Sequence, residues 1–162
     1  MGIVYQGRDP KINRVVAIKT LSLSEEFEAD ELDEMKERFF REAQAAGRLN
    51  HPNIVTVYDA GEEQDLAYIA MEYLTGHDLV DYTKPENLLP VDQVLEMIGK
   101  AAEALDYAHQ QEVVHRDIKP ANIMYDEGSG TIKITDFGIA RVSNASRTKT
   151  GMVVGTPNYM SP

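Results

Sequence analysis

The sequence predicts an α+β protein in two parts, a strand-rich first half followed by a helix-led second half. Three observations carry that expectation. Runs of β-branched residues are broken by turn residues, two segments repeat apolar residues every three or four positions, and the character changes near residues 74–77. With 162 residues the chain suits one domain of ordinary size or part of a larger one. A hydrophobic fraction of 43% beside 27% charged residues is the balance of a chain that can bury a sizeable core, which argues against wholesale disorder.

Ile3 to Tyr5 and Val15 to Leu21 read as two antiparallel strands, with Asp9-Pro10-Lys11-Ile12-Asn13 as the turn between them. From Ser24 to Leu49 the composition shifts to helix formers. Leu32, Met35, Phe39, Ala43 and Ala46 fall at helical spacing and give one apolar face. The helix should stop near Asn50-His51-Pro52-Asn53, because the residue before a proline avoids the α conformation. Ile54 to Tyr58 and Leu66 to Tyr73 read as a hairpin around the polar loop Gly61 to Asp65. Beyond Gly76, a long amphipathic helix of roughly twenty residues is expected, marked by Val91, Val94, Leu95, Ile98, Ala101, Ala102, Leu105 and Ala108. Short strands follow at Ile123 to Tyr125 and Thr131 to Thr135, flanking Gly128-Ser129-Gly130, and a polar, loop-like stretch runs on to Pro162.

Charge and composition narrow the function classes. Sixteen Lys+Arg against 27 Asp+Glu give a formal charge of −11, which disfavours nucleic acid as the main partner. The stretch Glu25 to Glu37 holds eight acids and one lysine, so −7 of that total is local and reads as a solvated face. With no cysteines, a disulfide framework and thiolate metal sites are excluded, and an intracellular setting is compatible. No run approaches 18 apolar residues, and the start lacks a basic region followed by an apolar one. No membrane segment or signal peptide is therefore expected within the chain. His51, His77, His109 and His115 have no metal-ligand spacing, and His115 is expected to pack beneath Phe137.

The chemistry-bearing signal is His115-Arg116-Asp117-Ile118-Lys119-Pro120-Ala121-Asn122, with Asp136-Phe137-Gly138 nineteen residues after Asp117. A lone Asp-Phe-Gly is weak, whereas the two together at this spacing are specific. Phosphoryl transfer needs oxygen ligands for a hard cation, which Asn122 and Asp136 can supply. It also needs a carboxylate that orients the attacking hydroxyl and accepts its proton, and Asp117 is the candidate.

These residues resemble the eukaryotic-type protein kinase family along the whole chain, and Val16-Ala17-Ile18-Lys19 is similar to the family's V-A-I-K strand. The resemblance implies a two-lobed protein kinase-like fold in truncated form, with residues 1–74 as the N-lobe lacking its first strand and 75–162 as a partial C-lobe. It implies that Lys19 contacts the α and β phosphates and pairs with Glu42, set in Arg41-Glu42-Ala43. Lys119 would contact the γ-phosphate, and Thr156 would buttress Lys119 and Asp117. Gly2, Val4, Ala17, Met71, Met124 and the backbones of Glu72 and Leu74 would surround ATP, with Asn122 and Asp136 holding Mg2+ or Mn2+. Arg116 would pair with a phosphate on the segment carrying Ser143, Ser146, Thr148 and Thr150, with Thr148 and Thr150 the preferred autophosphorylation sites.

Lys119 and Gly155-Thr156-Pro157 look like the Ser/Thr-specific branch, and Gly151 to Pro162 resembles bacterial members. The implied partners are protein substrates with Ser or Thr, with self-association for autophosphorylation. The implied location is cytoplasmic for the catalytic part, within a parent that can be membrane-anchored. Gly2 corresponds to the third glycine of the family's glycine loop, and Tyr159-Met160-Ser161-Pro162 precedes the A-P-E glutamate, so the chain reads as a fragment that should fold poorly and work weakly alone. A regulatory pseudokinase or scaffold is the alternative, and it is disfavoured because Lys19, Glu42, Asp117, Lys119, Asn122 and Asp136 are all present. A small-molecule phosphotransferase of similar fold ranks lower, since such enzymes lack this form of the catalytic motif.

Overall fold

The computed structural model describes residues 3–22, 31–137 and 159. A four-stranded antiparallel sheet comes first, built from β1 (Ile3–Asp9), β2 (Arg14–Ser22), β3 (Val57–Glu63) and β4 (Leu66–Glu72) in the order β1-β2-β4-β3. Helix α1 (Leu32–Gly47) runs between β2 and β3 in sequence. Ala67 and Ile69 of β4 and Leu21 of β2 form a buried cluster with its apolar face, Met35, Phe39 and Ala43. Phe39, 3% exposed, is the largest member and meets Phe40 edge-on at 5.4 Å. Burying such a ring contributes roughly 1.5–3 kcal/mol. Asp33 and Glu34 in the first turn of α1 suit its positive end.

Turn residues account for the hairpins. Asn13 closes β1–β2 at φ 56°, and Gln64 closes β3–β4 at φ 57°, the left-handed conformation tight hairpins need. The polar stretch expected as a loop from Gly61 is therefore mostly strand, since β3 pairs through Glu63 opposite Leu66. The expected strand from Ile54 also begins later, at Val57. Tertiary pairing overrides local preference there: Ile54 makes an isolated parallel bridge to Ile134. The helix expected from Ser24 is described from Leu32 onward, and residues 23–30 lie outside the described part.

The second half comprises a three-stranded antiparallel sheet and helix α2 (Val91–Gln110), with strand order β5 (His77–Asp78), β6 (Ile123–Asp126), β7 (Thr131–Ile134). Gly76 feeds β5 at φ 101°, and a side chain there would run into the backbone carbonyl of Tyr125, so this position requires glycine. Helix α2 starts after Pro90 and ends in a Schellman cap. Val113 N–H donates to Ala108 O at 2.9 Å and Glu112 N–H to His109 O at 2.9 Å, with Glu112 left-handed at φ 61°.

A second buried cluster joins the halves. Ala46 and Leu49 from the end of α1, Ile54, Ala104 and Ala108 of α2, Val113, Ile134 and Phe137 are buried together. On the other side of α2, Val91, Leu95 and Ile98 remain 72%, 61% and 59% exposed, a face carrying apolar residues against nothing in the described part. No described helix is long and apolar enough to cross a membrane.

Candidate active site

The cap that ends α2 delivers residues 113–117 to the centre of the molecule. Val113 is locked into the shared core, and two positions later His115 is 1% exposed. Its Nδ1 accepts the Asp117 N–H at 3.2 Å, which makes Nε2 the protonated nitrogen, donating to Thr135 O at 2.7 Å. The ring meets Phe137 edge-on at 4.7 Å, the packing expected for it. Burial drives the imidazole pKa below its ordinary 6.5, the Thr135 carbonyl and nearby Asp136 opposing that shift only in part. Neutral His115 is thus a structural staple between the Asp117 loop and the Asp136 segment.

Arg116 and Asp136 flank this staple with φ of 69° and 62°. Left-handed backbone at a non-glycine residue costs about 1–2 kcal/mol, and such strain concentrates where a side chain must be aimed. Asp117 is 8% exposed, and Lys119 Nζ lies 2.6 Å from its Oδ2. The Asn122 side-chain amide donates to Asp117 O at 2.8 Å and to Asp117 Oδ2 at 3.3 Å, which leaves its amide oxygen as the acceptor of the group. Pro120–Asn122 is a turn of 3-10 helix, closed by Asn122 N–H to Lys119 O at 2.9 Å, and this tight turn brings positions 117, 119 and 122 to one side. Thr135 N–H donates to Asn122 O at 2.9 Å, tying this loop to Asp136.

Across from the loop, Lys19 of β2 reaches Asp136, with Nζ to Oδ1 at 2.7 Å and side chains 23% and 26% exposed. The expected Lys19–Glu42 pair is therefore not formed among the described residues. Glu42 instead takes Arg38, one helical turn earlier on α1, at 3.4 Å. The reason is local: an i,i+4 partner is supplied by the helix itself, while Lys19 finds the opposite charge of Asp136 facing it. Arg116 lines a cavity of about 410 Å³ that it shares with Arg38, Arg41, Glu42 and Glu112.

The apolar candidates gather on the sheet above this cluster. Val4 pairs across from Lys19, and Ala17 from Met71, so Val4, Ala17, Lys19 and Met71 share one face. Glu72, Leu74 and Met124 line a common cavity of about 180 Å³. Gly2, Thr148, Thr150 and Thr156, together with Ser143 and Ser146, lie outside the described residues.

A hard cation fits the donor set, because the Asp136 carboxylate and the Asn122 amide oxygen are of the right type. Among the described residues no group of three or more His, Cys, Asp or Glu could cage a metal alone. Two protein oxygens would leave further positions of a hard cation to phosphate oxygens and water. Sequence reasoning missed Thr135, whose backbone staples His115 and Asn122, and Arg38, a partner of Glu42. Neither carried a motif signal, since one acts through its main chain and the other is one charge among many on α1.

Comparison with known proteins follows this geometry. The protein kinase domain family model matches residues 1–162. Serine/threonine-protein kinase PrkC of Bacillus subtilis is 44% identical over 163 residues, which is 100% of this chain and 24% of PrkC. Serine/threonine-protein kinase PknB of Mycobacterium leprae is 42% identical over 168 residues, 100% of this chain and 26% of PknB. The crystal structure of the Mycobacterium tuberculosis PknI kinase domain superposes with a TM-score of 0.74 at 40% identity, over 86% of this chain and 56% of that one. A complex of Rad53 1–466 with AMP-PNP gives a TM-score of 0.72 at 27% identity, over 86% of this chain and 35% of that one. The chain spans about a quarter of the length of its curated relatives. Its strand order, the loop around Asp117 and a family match over every residue lead to one conclusion: this chain belongs to the protein kinase domain family and matches part of its two-lobed α+β fold.

Proposed function

We propose that this chain is the nucleotide- and metal-binding part of a bacterial protein serine/threonine kinase, which moves the terminal phosphoryl group of ATP to Ser or Thr hydroxyls of proteins in signalling. The observation that carries this reading is a pair of contact groups, Lys19 with Asp136 and Asp117 with Lys119 and Asn122, drawn from both halves of the chain and joined by the Thr135 N–H to Asn122 O hydrogen bond. Residues 1–74 act as the N-lobe and 75–162 as part of the C-lobe. Val4, Ala17, Met71 and Met124, with the backbones of Glu72 and Leu74 and with Gly2, enclose the base. Lys19 holds the α and β phosphates once it exchanges Asp136 for Glu42.

Asn122 and Asp136 hold Mg2+, which when bound neutralises charge on the phosphate oxygens. Asp117 Oδ accepts the proton of the attacking hydroxyl, and the neighbouring Lys119 ammonium faces the charge that develops on the transferring group. Arg116, beside Arg38 and Arg41, receives a phosphate on Thr148 or Thr150, with self-association allowing one copy to modify another; Thr156 buttresses Lys119 and Asp117. The catalytic part works in the cytoplasm, in a parent that can be membrane-anchored. The 162-residue segment by itself folds and works weakly, because the apolar face of Val91, Leu95 and Ile98 is left exposed.

The test is transfer of radiolabel from γ-labelled ATP to a protein acceptor by the full-length protein and its Asp117→Asn variant, with mass spectrometry of Thr148 and Thr150. Loss of label by about 10²–10⁴-fold in Asp117→Asn, with nucleotide binding retained, supports the assignment. Equal labelling in both forms refutes it, and nucleotide binding with no transfer in either favours a pseudokinase scaffold.

A further inference from the structure

A charged pair ties the two sheets together beside the proposed base-binding strand. Lys133 lies on β7, and its Nζ donates to Glu72 Oε2 at 2.8 Å, with side chains 20% and 27% exposed. The same ammonium reaches Ile54 O at 3.5 Å. Glu72 closes β4, and its Oε2 also accepts the Thr56 N–H at 3.3 Å, while its own N–H donates to Thr56 O at 2.8 Å. One residue at the end of the upper sheet is thus held by three bonds to two other segments.

Those segments are themselves joined. Val55 N–H donates to Ile134 O at 2.9 Å, Ile134 N–H to Asn53 O at 2.8 Å, and the Asn53 side-chain amide to Ile132 O at 2.9 Å. The connection 53–56 and β7 therefore form one unit, and Glu72 is clamped to it. Alternation along β4 puts Glu72 on the face opposite Met71 and Ile69, hence opposite Lys19 and Ala17. Glu72 and Leu74 share their cavity with Lys133 and Met124.

We propose that Lys133 is a positioning residue for nucleotide binding. Through the Glu72 carboxylate it fixes the end of β4, so that the Glu72–Leu74 backbone meets the base in one geometry. This rests on the reading that the Glu72 and Leu74 backbones hold the base. A partly exposed ion pair contributes little to global stability, so its effect should appear in nucleotide affinity and not in the chemical step.

The test uses the full-length protein, with equilibrium binding of a fluorescent ADP analogue, steady-state kinetics in ATP and thermal melting. Lys133→Met should raise the Kd and the KM for ATP about three- to ten-fold while kcat stays within about two-fold, the signature of lost ground-state binding. Lys133→Arg should restore both constants, and Lys133→Met combined with Glu72→Gln should be no worse than the weaker single variant. Unchanged Kd and KM in Lys133→Met, or strictly additive effects in the double variant, overturn the proposal even if the melting temperature falls. Failure of the wild-type protein to bind the analogue overturns the base-binding reading together with this one; normal wild-type binding with an inert Lys133→Met overturns this one alone.

Discussion

Protonating His115 should unfasten the loop that carries Asp117. The ring is 1% exposed, and in its neutral form Nδ1 accepts the Asp117 N–H while Nε2–H donates to Thr135 O. A second proton on Nδ1 destroys its acceptor and places a charge beside Phe137 in the shared core. Burial accordingly lowers the folded-state pKa beneath the ordinary 6.5. Between that lowered value and 6.5 the unfolded chain binds more protons than the folded one. The histidine's contribution is therefore fully present above 6.5 and is lost as the pH falls through this window, with a slope of at most about 1.4 kcal/mol per pH unit. Urea denaturation of the full-length protein at several values from pH 7.5 to 5.5 measures the slope. His115→Phe, which cannot titrate, should lower stability at pH 7.5 by about 2–6 kcal/mol, since the Asp117 N–H and the Thr135 carbonyl each lose a partner at about 1–3 kcal/mol. It should also flatten the pH dependence. Equal slopes in the wild type and His115→Phe would show that this ring is not held neutral by burial.

Phe39→Ala should destabilise by about 3–5 kcal/mol in a denaturant titration, because the ring fills the cluster between α1 and the upper sheet. Glu112→Gly should raise stability by about 0.5–1 kcal/mol, since the Schellman cap of α2 holds position 112 at φ 61°; a loss would mean the cap is unstrained. Gly76→Ala should lower the thermal midpoint by several degrees, about 2 kcal/mol or more for a residue at φ 101° whose side chain would strike the Tyr125 carbonyl.

Period and turn chemistry were readable before any coordinates. Phe39, Ala43 and Ala46 of α1 are buried as their spacing requires, and α2 spans Val91 to Gln110 where about twenty residues were expected. Asp117, Lys119 and Asn122 lie within six residues and contact one another, so their proximity follows from nearness in sequence. Long-range electrostatics was less legible. A helix offers Glu42 an arginine at i−4, and no sequence pattern says whether Lys19 or Arg38 holds it. Ile54 looks like the start of a strand, yet it bridges to Ile134 because the 53–56 connection is bonded to β7. The Glu72–Lys133 pair joins residues 61 positions apart, beyond any local rule.

The most direct test of the proposed phosphoryl-transfer centre is a crystal structure of the full-length protein with Mg2+ and a non-hydrolysable ATP analogue. The expected result is Lys19 moved from Asp136 onto Glu42 and the phosphates, with oxygens of Asp136 and Asn122 about 2.0–2.1 Å from the metal. Retention of the 2.7 Å Lys19–Asp136 pair, with nucleotide and metal bound elsewhere, would contradict it.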